Sequence, residues 1–467
     1  MIKKTLQILV MGTILWLSFS NHWFSRALAA DEQMAQAIAN AQISADTAYM
    51  LICSALVLLM TPGLAFFYGG FVGKRNILNT LMMSFVLMGI VGVSWIIWGY
   101  SLSFAPGLPF IGGLQWFLLN GVGLDTTGYL GTSAPAEVTT YAGTIPHLAF
   151  MMYQGMFAII TPALISGAIV ERVSFRAYVL FVLLWSTFVY CPVAHMVWGK
   201  GGFLGLYGGM GALDFAGGIV VHITCAVSAL VAAWMIGPRT KYPQSLSAPH
   251  SVPFIILGAG LLWFGWFGFN AGSALAANGV ATYAFINTNT GAAAGTITWL
   301  LLEVFLRGKP TAVGAATGAI AGLAGITPAA GFVEPKAALL MGSIIAVCCF
   351  YAISLKVKLQ FDDSLDTFPV HGIAGTLGAL MTGIFATTAV NPSGADGLLR
   401  GNFNQFLVQL AAVVIVYVIS AVGTFVLLKI LEATVGLRPT PDAEIRGMDI
   451  TEHGEEGYSE EFTGTSS

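Results

Sequence analysis

Asp214-Phe215-Ala216-Gly217-Gly218-Ile219-Val220-Val221-His222 opens an otherwise apolar run that reaches Gly237. A run of that length can cross a bilayer, which needs about 20 apolar residues. His222 then falls near mid-membrane, where a polar side chain is expensive and marks a functional site by default. Asp366-Thr367-Phe368-Pro369-Val370-His371 repeats the feature in a second apolar run. Two isolated histidines, each a short step inside a helix opened by an aspartate, predict one central polar site in an apolar protein.

Composition agrees. Of 467 residues, 56% are hydrophobic and only 9% are charged, against roughly 25% charged in soluble domains. The chain therefore reads as an all-α polytopic membrane protein. Its 56 glycines suit helices that pack closely through small residues. A net charge of −3 gives no sign of nucleic acid. Cys53, Cys191, Cys225, Cys348 and Cys349 all sit in apolar runs without a CxxC pair, and read as small packing residues.

Residues 1–30 stand apart. Lys3 and Lys4 precede an apolar core from Ile8 to Trp16, and Ala27-Leu28-Ala29 gives an A-x-A site before Ala30. That is the pattern of a cleaved signal peptide; an uncleaved first helix is the alternative. After a polar lead to Asp46, apolar runs follow near 47–72, 76–103, 145–170, 175–197, 215–237, 252–277, 281–306, 311–331, 335–355, 367–389 and 403–433. These are eleven expected spans.

Charge tests that count. With the N-terminus outside, inner loops hold Lys74, Arg75, Arg172, Arg176, Arg239, Lys241, Arg307, Lys309, Lys356 and Lys358, and outer loops hold only Lys200, Lys336 and Arg400. Ten against three is the positive-inside pattern, and it places the C-terminus in the cytoplasm. The two histidines fall in spans five and ten. Spans one to five and six to ten then form inverted halves with a site at their interface, a common transporter plan, and a last long helix follows. The tail from Gly436 to Ser467 is polar, with Glu452, Glu455, Glu456, Glu460 and Glu461. It is either disordered or a docking element.

Each imidazole could simply satisfy a neighbouring polar group. Two at matching places favour a shared role. Metal binding fits poorly, because no Cys, Glu or further His lies close in sequence to either one. Asp214 and Asp366 are expected to cap helix N-termini, accepting backbone N–H bonds. Aromatics gather in Tyr153-Gln154-Gly155-Met156-Phe157, in His195-Met196-Val197-Trp198-Gly199 and from Trp263 to Ser273. Singly each ring is ordinary belt or core. Together they offer ring faces for a cation and a hydroxyl acceptor at Ser273. No G-x-S-x-G elbow, H-E-x-x-H or P-loop is present, which leaves enzyme and ATP-driven pump readings without support.

The Asp214–His222 stretch resembles the signature of the ammonium transporter family, the Amt/Mep/Rh group. The likeness extends through Gly69-Gly70, Ala194 to Gly199, Gly265 to Ser273, Asp366 to Gly372, Thr434 to Arg438 and His453-Gly454-Glu455. It implies an outer ammonium recruitment site at Trp198, Phe157 and Ser273, and a gate of Phe157 and Phe269. It implies twin pore histidines at His222 and His371. Trp266 and Gln154 would line or support the pore, and Asp214 would support the recruitment site. It further implies transport of ammonium, ammonia or methylammonium without a cofactor, a homotrimer in the cell membrane, and a PII-type signal protein on the cytoplasmic face. Pro369 stands where some bacterial members carry Gly, which keeps the match at His371 and leaves the local helix geometry open. A sensor signalling through its tail and an Rh-like gas channel are the alternative readings.

Overall fold

The computed structural model describes residues 1–124, 141, 143–206, 208–240, 242–244 and 248–458. Lys241, Glu460 and Glu461, and part of the long 105–144 loop, lie outside the described residues. Every expected span is a helix: α1 (Ile2–Phe71), α2 (Ile77–Phe104), α3 (His147–Ile169), α4 (Phe175–Trp198), α5 (Gly218–Ile236), α6 (Val252–Ala274), α7 (Gly279–Arg307), α8 (Ala312–Ile326), α9 (Pro335–Lys358), α10 (Phe368–Phe385) and α11 (Phe403–Thr434). Among the described residues, nine are long and apolar enough to cross a membrane; α8 is short, with 15 residues, and α7 does not meet the same measure. A two-stranded hairpin, β1 (Gly107–Leu108) and β2 (Ile111–Gly112), follows α2.

Helix α1 is continuous from Ile2, whereas the first membrane span was expected to begin near residue 47. Its large apolar residues are exposed as far as Ile38, and burial begins at Ala39. It packs along α6, and α7 packs against α8 and α9. Small residues allow that close approach: a Cβ on Gly295, Gly318, Gly322 or Gly342 would strike the backbone of a facing helix. Dispersion between closely packed backbones is what holds membrane helices together in place of a hydrophobic drive.

Four of the basic segments meet on one face, Lys356 joining through the Asp363 carbonyl. Gly73 N–H and the Asn76 amide donate to Glu171, Arg239 pairs with both Glu171 and Asp362, and buried Arg172 reaches Ser364 and the Asp362 carbonyl. Residues 436–458 of the tail dock on this face. Arg438 donates to the Ile236 and Pro238 carbonyls and pairs with Glu444, beside the short helix α12 (Pro441–Arg446). Asp449 accepts from Asn79 N–H, and Glu452 from Phe175 N–H. The opposite face carries Trp198, Ser273 and Asn391 around a cavity.

Helices α5 and α10 close the two five-helix halves, and they start from opposite faces. Each begins with a π-helical turn, Gly218–Ile223 and Phe368–Gly372. Such turns insert an extra residue and recur at functional sites. Pro369 sits in the first positions of the second turn, where its missing N–H costs nothing.

Candidate functional site

The turn that launches α5 is held by one carboxylate. Asp214 Oδ1 accepts from Gly217 N–H at 3.1 Å, and Oδ2 accepts from Ile219 and Val220 N–H at 2.9 Å each. Gly217 adopts φ 109°, a left-handed conformation that glycine reaches without a Cβ penalty. The Asp214 backbone carbonyl also accepts the Trp198 indole N–H at 2.9 Å. Asp214 therefore fixes both the His222 helix and the Trp198 ring.

The expected counterpart is displaced by three residues. Asp366 does not cap α10; it has φ 60° and pairs with Lys356 at 2.5 Å. Asp363 is the cap, accepting from Thr367 N–H at 3.0 Å and Phe368 N–H at 2.7 Å. Asp214 and Asp363 each stand eight residues before their histidine (222 − 214 and 371 − 363). Equal spacing in the two halves was the signal that could have found Asp363. Burial pushes its carboxyl above the ordinary value, against the pull of Lys356 and the two N–H groups.

The two caps bring the histidines together. His222 and His371 rings lie 5.2 Å apart at 13°. No hydrogen bond joins the two rings. Both His222 nitrogens and His371 Nδ1 are buried without a protein partner. Trp266 stacks on His222 at 5.4 Å and 22°, and its N–H is tied to Thr327 at 2.9 Å. These three rings line a narrow cavity of about 10 Å³, with Phe269, Val221, Ile160 and Ile320. That is room for about one water-sized molecule.

Beyond it lies a wider cavity of about 340 Å³ among the loops that carry Tyr141, Ala276 and Asn391. Trp198, Phe157, Ser273, Gln154 and Asp214 all line it. Gln154, expected to line or support the pore, borders this cavity. Phe157 meets Trp198 edge to face at 5.9 Å and stacks on Phe269 at 4.2 Å and 29°. Phe157 borders the wide cavity and Phe269 the narrow one. Their stacked rings are the partition between the two.

Other supports lay outside the sequence reading. Gln409 on α11 is fully buried; it accepts from Leu213 N–H and donates to the Leu213 carbonyl, bracing the strip before Asp214. Thr327 orients Trp266. Single polar residues in apolar helices carry little sequence signal for such pairings, which join positions far apart in the chain.

The profile of the Ammonium Transporter Family matches residues 48–458. The chain belongs to the ammonium transporter family. It is 50% identical over 416 residues to the ammonium transporter of Bacillus subtilis, covering 89% of this chain and 98% of that protein. The crystal structure of Candida albicans Mep2 is 36% identical, with a TM-score of 0.78 over 86% of this chain and 88% of that one. A structure described as a Sensor Amt Protein is 26% identical, with a TM-score of 0.77 over 89% and 99%. This ammonium transporter has a wide aromatic cavity, a stacked pair of rings and a narrow cavity beside two imidazoles.

Proposed function

We propose that this ammonium transporter takes up NH4+ in the vestibule and passes neutral NH3 beneath the imidazoles. Trp198 and Phe157 offer ring faces to the cation, and Ser273 offers an oxygen. The Phe157–Phe269 stack opens to admit the substrate. His222 and His371 then accept hydrogen bonds from it and relay the released proton, since each imidazole has two nitrogens of different roles.

Magnitudes favour deprotonation. Moving a bare ammonium-sized ion into a medium of dielectric ~4 costs on the order of 20 kcal/mol. Removing a proton whose pKa lies about two units above neutral costs about 3 kcal/mol, at 1.36 per unit. The observation that carries the reading is the set of three unclaimed ring nitrogens bordering a passage one small molecule wide.

The remaining expectations join this reading. Residues 1–30 are a signal peptide removed after export, residues 31–435 the transporter domain and residues 436–467 a regulatory tail. The chain works as a homotrimer in the cell membrane, with its N-terminus outside and the basic face in the cytoplasm, and carries ammonium inward. The tail, docked among the basic loops, meets a PII-type signal protein there. A sensor has the same fold, given the 26% likeness noted above, and would bind ammonium without flux. Proteoliposomes holding only this protein discriminate: uptake of labelled methylammonium above empty vesicles supports transport, and binding without uptake supports the sensor.

A further inference from the structure

We infer that Tyr153 is a positioning residue that aims Ser273 and ties the cation site to the gate. Resting on the recruitment reading above, the inference adds a residue outside the expected site set. Tyr153 lies one helical turn before Phe157 on α3, so their side chains share a face. Its ring meets the Phe157 ring at 5.0 Å, and the residue is fully buried.

The hydroxyl sits at the end of α6. Its oxygen lies 2.8 Å from the Phe269 carbonyl, 3.0 Å from the Gly268 carbonyl and 3.2 Å from Ser273 Oγ. A phenol has one hydrogen to give, and the two carbonyls can only accept. With the phenol hydrogen given to the Phe269 carbonyl, its shortest contact, Ser273 is the donor in the Tyr153–Ser273 contact. The alternative acceptor for Ser273 is the Phe269 carbonyl at 3.0 Å. Both acceptors lie on the protein side. The Ser273 hydrogen is thus turned away from the vestibule, and its lone pairs are left for a cation's N–H groups.

The same oxygen holds the backbone of Phe269, whose ring is half of the partition. The Phe269 carbonyl lies in the last turn of its helix, where carbonyls lose their intrahelical donors, and two side-chain hydroxyls serve it. Gly272 makes room for this junction: a Cβ there would stand 2.7 Å from the Tyr153 hydroxyl and 2.8 Å from Cys53 Cβ. One residue therefore touches the Phe157 ring, the Phe269 carbonyl and the Ser273 hydroxyl.

The test is methylammonium uptake into proteoliposomes by the full chain, as wild type, Tyr153→Phe, Ser273→Ala and the double variant. Tyr153→Phe keeps the ring and removes only the hydroxyl. It is expected to raise KM about three- to tenfold, the scale of one net hydrogen bond, with the maximal rate per folded protein changed less than about twofold. The double variant is expected to match Ser273→Ala, because the hydroxyl acts through Ser273. A merely structural role would lower the rate and multiply with Ser273→Ala. An unchanged KM in Tyr153→Phe, or multiplying effects, overturns the inference. Should Tyr153→Phe fail to fold, Gly272→Ala displaces the hydroxyl without removing it and must give the same KM rise, absent when Ser273→Ala is present. Wild-type uptake separates the two levels: without it the transport reading itself fails.

Discussion

Replacing Asp214 separates capping from charge. In Asp214→Asn, the amide oxygen can take the place of Oδ2 and keep the Ile219 and Val220 N–H bonds. Its NH2 then faces Gly217 N–H, donor against donor. One charge-assisted bond is lost, about 1.5–3 kcal/mol. Asp214→Ala orphans all three N–H groups in a place only 6% exposed, and should cost at least about 3 kcal/mol, counting ~1 or more for each unsatisfied group. The first turn of α5 would fray, His222 would leave the His371 ring, and Trp198 would lose its carbonyl anchor. Unfolding midpoints in detergent are expected to fall in the order wild type, Asn, Ala, and methylammonium uptake to fall in the same order. Equal midpoints and uptake in wild type and Asp214→Ala would refute the capping account. A full loss in Asp214→Asn with an unchanged midpoint would mean that charge, not the cap, is what transport needs.

Phe269→Ala removes one ring of the 4.2 Å stack and should join the two cavities; osmotic water permeability, read by light scattering, is expected to rise severalfold, and an unchanged value counts against a ring gate. Asp362 gives a pH prediction: burial opposes its ionisation, but the hydrogen-bonded Arg239 and nearby Arg172 hold its carboxyl below the ordinary value. A depressed folded value means that its contribution is present above the unfolded pKa of about 3.9 and is lost as pH falls through the folded one. Asp362→Asn should therefore lose ~3 kcal/mol at neutral pH and show a shallower acid limb than wild type; parallel limbs would contradict the pairing. Arg438→Ala frees the Ile236 and Pro238 carbonyls and Glu444, and faster amide exchange over 436–458 is the expected result, with wild-type protection as the contrary one.

The helices were legible because the physics that makes them is additive along the chain. A long apolar run reads as a span wherever it falls, and each of the eleven is a helix, nine of them long and apolar enough to cross a membrane among the described residues. The twin histidines were legible for the same reason: a lone imidazole in an apolar run stands out. What was not legible depends on geometry across the fold. Asp366 is closer in sequence to its histidine than Asp363, yet its φ of 60° and its ion pair with Lys356 turn it away from the helix end. The π-helical turns left no pattern, because one inserted residue does not disturb an unbroken apolar run. Gln154 and Phe157 lie in one short motif, but only the helix face shows both bordering the vestibule. The tail could be read as polar and not as docked, since its partners at Asn76, Asn79 and Phe175 lie far back in the chain.

The central claim is that two partner-free imidazoles let an ammonium ion give up its proton in order to cross. The most direct measurement is simultaneous methylammonium uptake and current in proteoliposomes of wild type and of the His222→Ala, His371→Ala double variant. The account predicts that proton-coupled uptake collapses in the double variant while the folded yield is kept. Unchanged uptake and unchanged current in that variant would contradict it.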